Sequence, residues 1–311
     1  MRKLRTIFLG TPDFSVPSLE MLSEHPLIEL VGVVSMPDRP AGRGKQLVSP
    51  AVIEFARSKK IPCVQAENVN RSEEFFELAK DIDVIIVLAF AQFLGKKILA
   101  LPKLGCFNIH TSLLPKYRGA APIQYALLNG DKTTGVSIQK MVKKMDAGDV
   151  CYSHEVVISE QESGGQLYTR LKFQAALGLN DFINQLSTGH VTYQQQDEAK
   201  VSFAPSITKE MGHLQLFSDE YVVLQNKIRA FDPWPGTFCF LNGKRLKVFA
   251  IEKVDMPLPL NQVNVEGNQL LAGRGEFAIR LKDVQLAGKK RCSDSELLNG
   301  LRNKTETFVI E

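Results

Sequence analysis

Asn108 and His110 stand two residues apart in Cys106–His110, a short apolar run that reads as a strand. Strand side chains alternate, so the amide and the imidazole share one face while Ile109 takes the other. Further along, Asp146-Ala147-Gly148-Asp149 forms an acidic turn between two more β-like runs. An amide that donates, an imidazole that titrates and a carboxylate that orients it suit acyl transfer, where an oxyanion develops and a proton must move. Each piece alone also has a plainer reading. A strand-end Asn-x-His serves equally to satisfy loop backbone groups, and Asp-x-Gly is common turn chemistry. Between the two pieces lies a Pro- and Gly-rich loop containing Arg118, which leads into a helix expected over Ala121–Leu128.

The elements that must position these residues alternate in type. Leu4–Gly10, Ile28–Ser35, Ile61–Gln65, Val84–Ala89 and Cys106–His110 read as strands. Helical segments are expected from Pro17–Ser23, Pro50–Lys60 (with Pro50 in the first turn) and Ser72–Lys80. This rhythm, with nearly all-apolar strands, predicts a parallel sheet covered by helices on both faces. Ligands of such sheets sit beyond the carboxyl ends of the strands. The first βα turn, Gly10-Thr11-Pro12-Asp13, lacks the glycine fingerprint of dinucleotide sites, and Pro12 removes a backbone N–H that a pyrophosphate would use. Val136–Met141 and Val150–Ile158 follow as antiparallel additions, then one long helix over Gly164–Leu186 that stops at Gly189. A domain over residues 1–190, a polar linker over 191–206 and a second domain over 207–311 are the expected divisions. The second opens with a helix, Ser218–Ala230. Short β-like runs broken by Asn242-Gly243, Pro257, Pro259, Gly267, Gly273 and Gly288 then predict a small antiparallel barrel or sandwich.

Length agrees with two domains, since 311 residues exceed the usual single-core size. The net charge of +4 is mild, so an RNA partner has to be argued from local clusters. Cys63, Cys106, Cys151, Cys239 and Cys292 are far apart with no C-x-x-C, which points away from disulfides and zinc. No apolar run approaches the roughly 20 residues of a membrane span. The stretch after Met1-Arg2-Lys3 is too short for a signal peptide, so a cytoplasmic protein is expected.

Asn108-x-His110-x-Ser112-Leu113-Leu114-Pro115 with Arg118-Gly119, followed by Asp146-x-Gly148, resembles the formyltetrahydrofolate-dependent transformylases, and the likeness runs across nearly the whole chain. That resemblance implies a Rossmann-like, mostly parallel α/β sheet with a C-terminal antiparallel OB-like β-barrel domain. It implies Asn108, His110 and Asp146 as the catalytic triad, and Ser112, Leu113, Leu114 and Pro115 as a folate-contacting loop. Phe90, Ala91, Gln92, Phe93 and Leu94 match a segment that cradles the pterin. The implied formyl donor is 10-formyltetrahydrofolate, with no metal. Lys140, Lys143 and Lys144 depart from the family pattern, where neutral or acidic residues are more usual.

Three features point to the family member that acts on initiator methionyl-tRNA, working as a monomer. The loop Met36–Val48 carries Arg39, Arg43 and Lys45 with only Asp38 to oppose them, and resembles an inserted loop that reaches the acceptor end of tRNA. The extra C-terminal domain includes Phe231-Asp232-Pro233-Trp234-Pro235-Gly236, in which Trp234 is expected to pack in the core. Lys244-Arg245-x-Lys247 and Lys289-Lys290-Arg291, with Lys209, are candidate phosphate contacts. Rival readings are a UDP-aminosugar formyltransferase, a formyltetrahydrofolate hydrolase and a catalytically silent RNA-binding protein on the same fold.

Overall fold

A computed structural model of the chain describes residues 2–41, 44, 46–301 and 308–310. The chain forms two compact units. The first takes in the chain through Pro122, with Thr133–Ile158 and Leu167–Pro205; the second holds Ile123–Lys132, Ser159–Gln166 and the chain from Ser206 onward.

Among the described residues, nine strands belong to the first unit: β1 (Leu4–Gly10), β2 (Ile28–Ser35), β3 (Arg39–Ala41), β4 (Gln46–Val48), β5 (Cys63–Gln65), β6 (Val84–Leu88), β7 (Gly105–His110), β8 (Thr133–Lys140) and β9 (Val150–Val157). The helices along the chain are α1 (Val16–Glu24), α2 (Ala51–Ser58), α3 (Glu73–Leu78), α4 (Lys96–Leu99), α5 (Pro122–Leu128) and α6 (Gly164–Thr188). Seven strands make one sheet in the order β5-β2-β1-β6-β7-β8-β9. From β5 to β7 every pairing is parallel, and β8 and β9 are added antiparallel. Composition explains this. Val84-Ile85-Ile86-Val87-Leu88 is buried at every position, as a central strand covered on both faces requires. The Ser72 side chain caps α3 by accepting from the Phe75 N–H, and Gly189, at φ +72°, ends α6. Pro50 precedes α2 as its cap rather than lying inside its first turn.

β7 lies where the parallel part of the sheet stops. Phe107 and Ile109 face away from Asn108 and His110, and the Phe107 ring meets Phe182 of α6 with centroids 4.9 Å apart. Both rings are fully buried. The site-bearing strand is therefore anchored through its opposite face.

The second unit contributes α7 (Tyr221–Ala230), β10 (Thr237–Leu241), β11 (Lys244–Val254), β12 (Val263–Glu266), β13 (Gln269–Gly273), β14 (Ala278–Leu286), β15 (Cys292–Ser293) and α8 (Asp294–Leu301). Its main strands run antiparallel in the order β10-β11-β14-β13-β12, with β15 on β14, around a core that includes Leu224, Leu246, Leu270, Ile279 and Leu281. This is the OB-like unit expected from the sequence. Asn242 and Gly243 both adopt left-handed backbone (φ 49° and 70°), the tight hairpin turn that Asn-Gly favours. Trp234 corrects the expectation of core packing: it is 53% exposed, and Phe231 of the same segment fills the buried place. Segment 191–206, read as a linker, is held against the first unit as far as Pro205, pairing Gln194 with Val150 and Phe203 with Arg118.

Truncating Phe107 to Ala should cost about 3–5 kcal/mol of stability in chemical denaturation. Phe182→Ala should cost a similar amount, and the double variant less than the two together, because the partners share one contact.

Candidate active site

Antiparallel pairing sets Asn108 directly opposite Gln139, and His110 opposite Ser137. Directly opposed residues share a sheet face, so four polar side chains of β7 and β8 gather at one patch. His110 is almost fully buried, with Nε2 2.8 Å from the Tyr117 carbonyl oxygen. A carbonyl only accepts, so Nε2 carries a hydrogen and donates it. That leaves Nδ1 for chemistry, and it lies 3.9 Å from Asp146 Oδ2, within ion-pair reach but beyond a hydrogen bond. Tyr117 presents its carbonyl from a left-handed conformation (φ 60°), steadied by its N–H donating to Ser202 Oγ at 2.9 Å.

Asp146 also has left-handed backbone, at φ 49°, which carboxylate and amide residues tolerate best. Both of its carboxylate oxygens are occupied: Oδ1 accepts from Gln139 Nε2 and Oδ2 from the Gly119 N–H, each at 2.9 Å. Gly119 could not be another residue. Its φ is +124°, and a Cβ there would lie 2.7 Å from the Ala204 carbonyl oxygen. At Gly148 a Cβ would collide with the Lys140 carbonyl oxygen.

The sequence reading missed the residues that support this arrangement. Gln139 and Ser137 are buried, and Ser137 Oγ donates to the Ser112 carbonyl and accepts from the Leu114 N–H. Gln196, from the segment after α6, donates Nε2 to the carbonyls of Asp146 (2.8 Å) and Gly148 (2.7 Å). Its Oε1 accepts from Nε and Nη2 of Arg118, which is itself 2% exposed. A signal existed for the β8 pair. Ser137 and Gln139 alternate with Val136 and Ile138 in a strand buried at all of these positions. Polar residues on an otherwise core-forming period mark a face that meets something polar. Gln196 carried no such signal, since its polar surroundings resemble any solvated segment.

The expected folate-contacting residues divide into two groups. Phe90 and Leu94 are core residues, Gln92 bridges the Ala66 carbonyl and the Val69 N–H, and Ser112 Oγ is committed to the Lys116 carbonyl. Ala91 and Phe93 are exposed, and Leu113, Leu114 and Pro115 half-buried, so these remain available to a ligand. Ala89 and Ala91 are left-handed as the chain leaves β6. Cys106 lies on the same β7 face as the triad but is buried. Burial pushes its thiol up to about 12, which removes it as a nucleophile. Asp13 of the first βα turn is bonded to Tyr168 and Lys172.

Among the basic candidates, Arg43 and Lys45 lie outside the described residues. Arg39 corrects the expected charge balance of its loop. It pairs with Glu67 at 2.6 Å, while Asp38 is engaged by Ser49 and Gln65. In the second unit Lys209, Lys244 and Lys247 are exposed. The Arg245 guanidinium lies 3.6 Å from the centre of the Phe238 ring, and the His213 ring stacks on that phenyl at 5.1 Å. Arg291 is spent on Asp283.

A mostly parallel sheet with an antiparallel margin, and an amide, an imidazole and a carboxylate gathered where the two meet, define an α/β group-transfer enzyme. Residues 4–183 match the formyl transferase family and residues 206–302 the C-terminal domain of formyl transferases. The chain is 41% identical over 302 residues to the methionyl-tRNA formyltransferase of Thermotoga neapolitana, covering 96% of this chain and 95% of that protein. It is 42% identical over 301 residues to the enzyme of that name from Bacillus subtilis, covering 95% and 94%. The chain belongs to the formyl transferase family and, within it, to the methionyl-tRNA formyltransferases. Solved structures share the fold at greater distance. An N-formyltransferase from Helicobacter canadensis, in complex with folinic acid and dTDP-3-aminofucose, superposes with a TM-score of 0.64 at 19% identity, covering 90% of this chain and 98% of that one. HypX from Aquifex aeolicus with tetrahydrofolic acid gives 0.61 at 15%, covering 95% and 47%.

Hydrogen bonds from Arg118 and then Lys144 hold the Glu198 carboxyl down at about 2. The folded carboxyl binds its proton more weakly than the unfolded one, so this pairing stabilises the fold above the ordinary carboxylate range. The benefit is lost as pH falls toward 2. Melting temperatures measured across that acid range should fall less steeply in Glu198→Gln than in wild type.

Proposed function

We propose that the protein transfers the formyl group of 10-formyltetrahydrofolate to the α-amino group of methionine on initiator tRNA, with Asn108, His110 and Asp146 as its catalytic residues. The observation that carries the assignment of roles is the His110 ring, whose Nε2 is bound to the Tyr117 carbonyl while Nδ1 is turned toward Asp146. In this reading the pterin rests on Ala91, Phe93 and Leu113–Pro115, the residues of both segments whose side chains are exposed or half-buried and not committed to hydrogen bonds.

The donor brings an electrophilic formyl carbon; the residues manage charge and protons. Asn108 and His110, in its imidazolium form with Nδ1–H, donate to the oxygen on which negative charge develops as the methionine nitrogen bonds to the formyl carbon. Asp146 orients the imidazolium and takes the proton that the attacking nitrogen sheds. His110 gives its Nδ1 proton to N10 of the folate as the bond between N10 and the formyl carbon breaks, and takes back the proton held by Asp146, which restores both groups. Atoms and charge balance as formamide plus tetrahydrofolate. Lys209, Lys244 and Lys247, with Arg245, supply cations for the tRNA backbone, and Arg43 and Lys45 those of the acceptor end. The proposal includes a cytoplasmic location and a monomeric working form.

Formyl transfer should be assayed in parallel on methionyl initiator tRNA, methionyl elongator tRNA and a UDP-4-amino-sugar. Rapid transfer to the initiator species alone is expected. Transfer only to the sugar would keep the triad and overturn the tRNA assignment. In single-turnover assays His110→Ala should lower the rate by about 10²–10⁴-fold. A near-normal rate would remove His110 from the mechanism.

A further inference from the structure

We infer that Gln139 is a positioning residue for this reaction, holding the Asp146 carboxylate in its working orientation. The inference rests on the reading of Asp146 as a catalytic group. Gln139 stands directly across the ladder from Asn108, so both belong to the face that carries the chemistry. Its side-chain amide is committed at both ends. Oε1 accepts from the Gly148 N–H at 3.1 Å and lies 3.5 Å from Gln196 Nε2, while Nε2 donates to Asp146 Oδ1 at 2.9 Å. A flipped amide would set its NH2 against two N–H donors and its oxygen against a carboxylate, so the partners permit one orientation only. Gln139 is 2% exposed, which removes water as a substitute donor.

The geometry divides the labour around Asp146. The Gly119 N–H takes Oδ2, the oxygen that faces His110 Nδ1, and Gln139 takes Oδ1. Two donors at fixed positions define the plane of the carboxylate, whereas one would let it swing about the remaining bond. Gln196 secures the backbone of the same turn and leaves the carboxylate to Gln139. Gln139 touches neither transferred group nor acceptor in this scheme and acts through Asp146.

The test uses full-length protein with Gln139→Leu, Gln139→Glu and, as a reference, Asp146→Asn, assayed for formyl transfer to methionyl initiator tRNA. Gln139→Leu should lower kcat by about 10- to 100-fold, as loss of alignment at a reacting group does, with the KM values of both substrates unchanged. Gln139→Glu provides the second readout and decides the matter if the leucine variant does not fold. At neutral pH it opposes one carboxylate to another. As pH falls the pair takes up one shared proton, and the protonated glutamic acid again donates to Asp146. The ratio of its kcat to that of wild type should therefore rise on acidification. A leucine variant with wild-type kcat, or a glutamate-to-wild-type ratio flat with pH, would overturn the inference, provided Asp146→Asn is inactive. Wild-type activity in Asp146→Asn would instead overturn the catalytic reading beneath it.

Discussion

The antiparallel ladder between β7 and β8 is the constraint from which the site follows. Parallel pairing from β5 to β7 builds a sheet whose strand ends all open to one side, and that geometry would leave β7 as a bare edge. β8 closes the edge in the opposite sense and brings Gln139 and Ser137 beside Asn108 and His110. The register cannot drift. A slip of one residue would send Val136 and Ile138 to the polar face and Ser137 and Gln139 among the apolar residues packed behind it. Phe107 against Phe182 secures the same choice from the other strand. Apolar packing on one face thus fixes hydrogen-bonding chemistry on the other.

Keeping so many polar groups inside is costly unless each finds partners. Ser137, Gln139, Gln196 and Arg118 are all buried, and each is bonded to the loops around the site. Left-handed backbone at Tyr117 and Asp146 adds about 1–3 kcal/mol of strain at each residue. The return is orientation: one backbone carbonyl fixes the imidazole, and two donors fix the carboxylate, before any substrate arrives. Preorganised groups of this kind stabilise developing charge without reorganising during the reaction. The supporting residues come from β8, from the loop after β7 and from the segment after α6, so the site forms only once the first unit has folded as a whole.

Much of this was legible in the sequence, and the reasons differ by residue. Strand and helix order followed from all-apolar runs separated by capped helices, because both faces of a parallel sheet must be covered. The spacing of Asn108 and His110 placed them on one face for the same elementary reason. Trp234 was misread because large aromatic side chains are usually buried, whereas this one sits in a Pro-rich turn where Phe231 already fills the core. Phe90, Gln92, Leu94 and Ser112 belong to segments the resemblance identified, but a segment match does not say which side chains face outward. The pairing of Arg39 with Glu67 joins residues distant in sequence, and no local pattern records it.

The cations of the chain show what kind of recognition its surface can deliver. Arg39, Arg118 and Arg291 are bound to carboxylates or amides of their own fold, so their planar forks are already engaged. Arg245 keeps its guanidinium against Phe238. What is freely presented among the described candidates, Lys209, Lys244, Lys247, Lys289 and Lys290, consists of point charges on flexible stems. Such groups hold phosphate and set orientation without reading bases. The mild net charge agrees with a modest hold of this kind. In the proposed reading, choice of substrate falls where geometry is strict, at the buried carboxylate and imidazole. Under the proposed mechanism, an acceptor must bring its amino group to the Nδ1 side of His110.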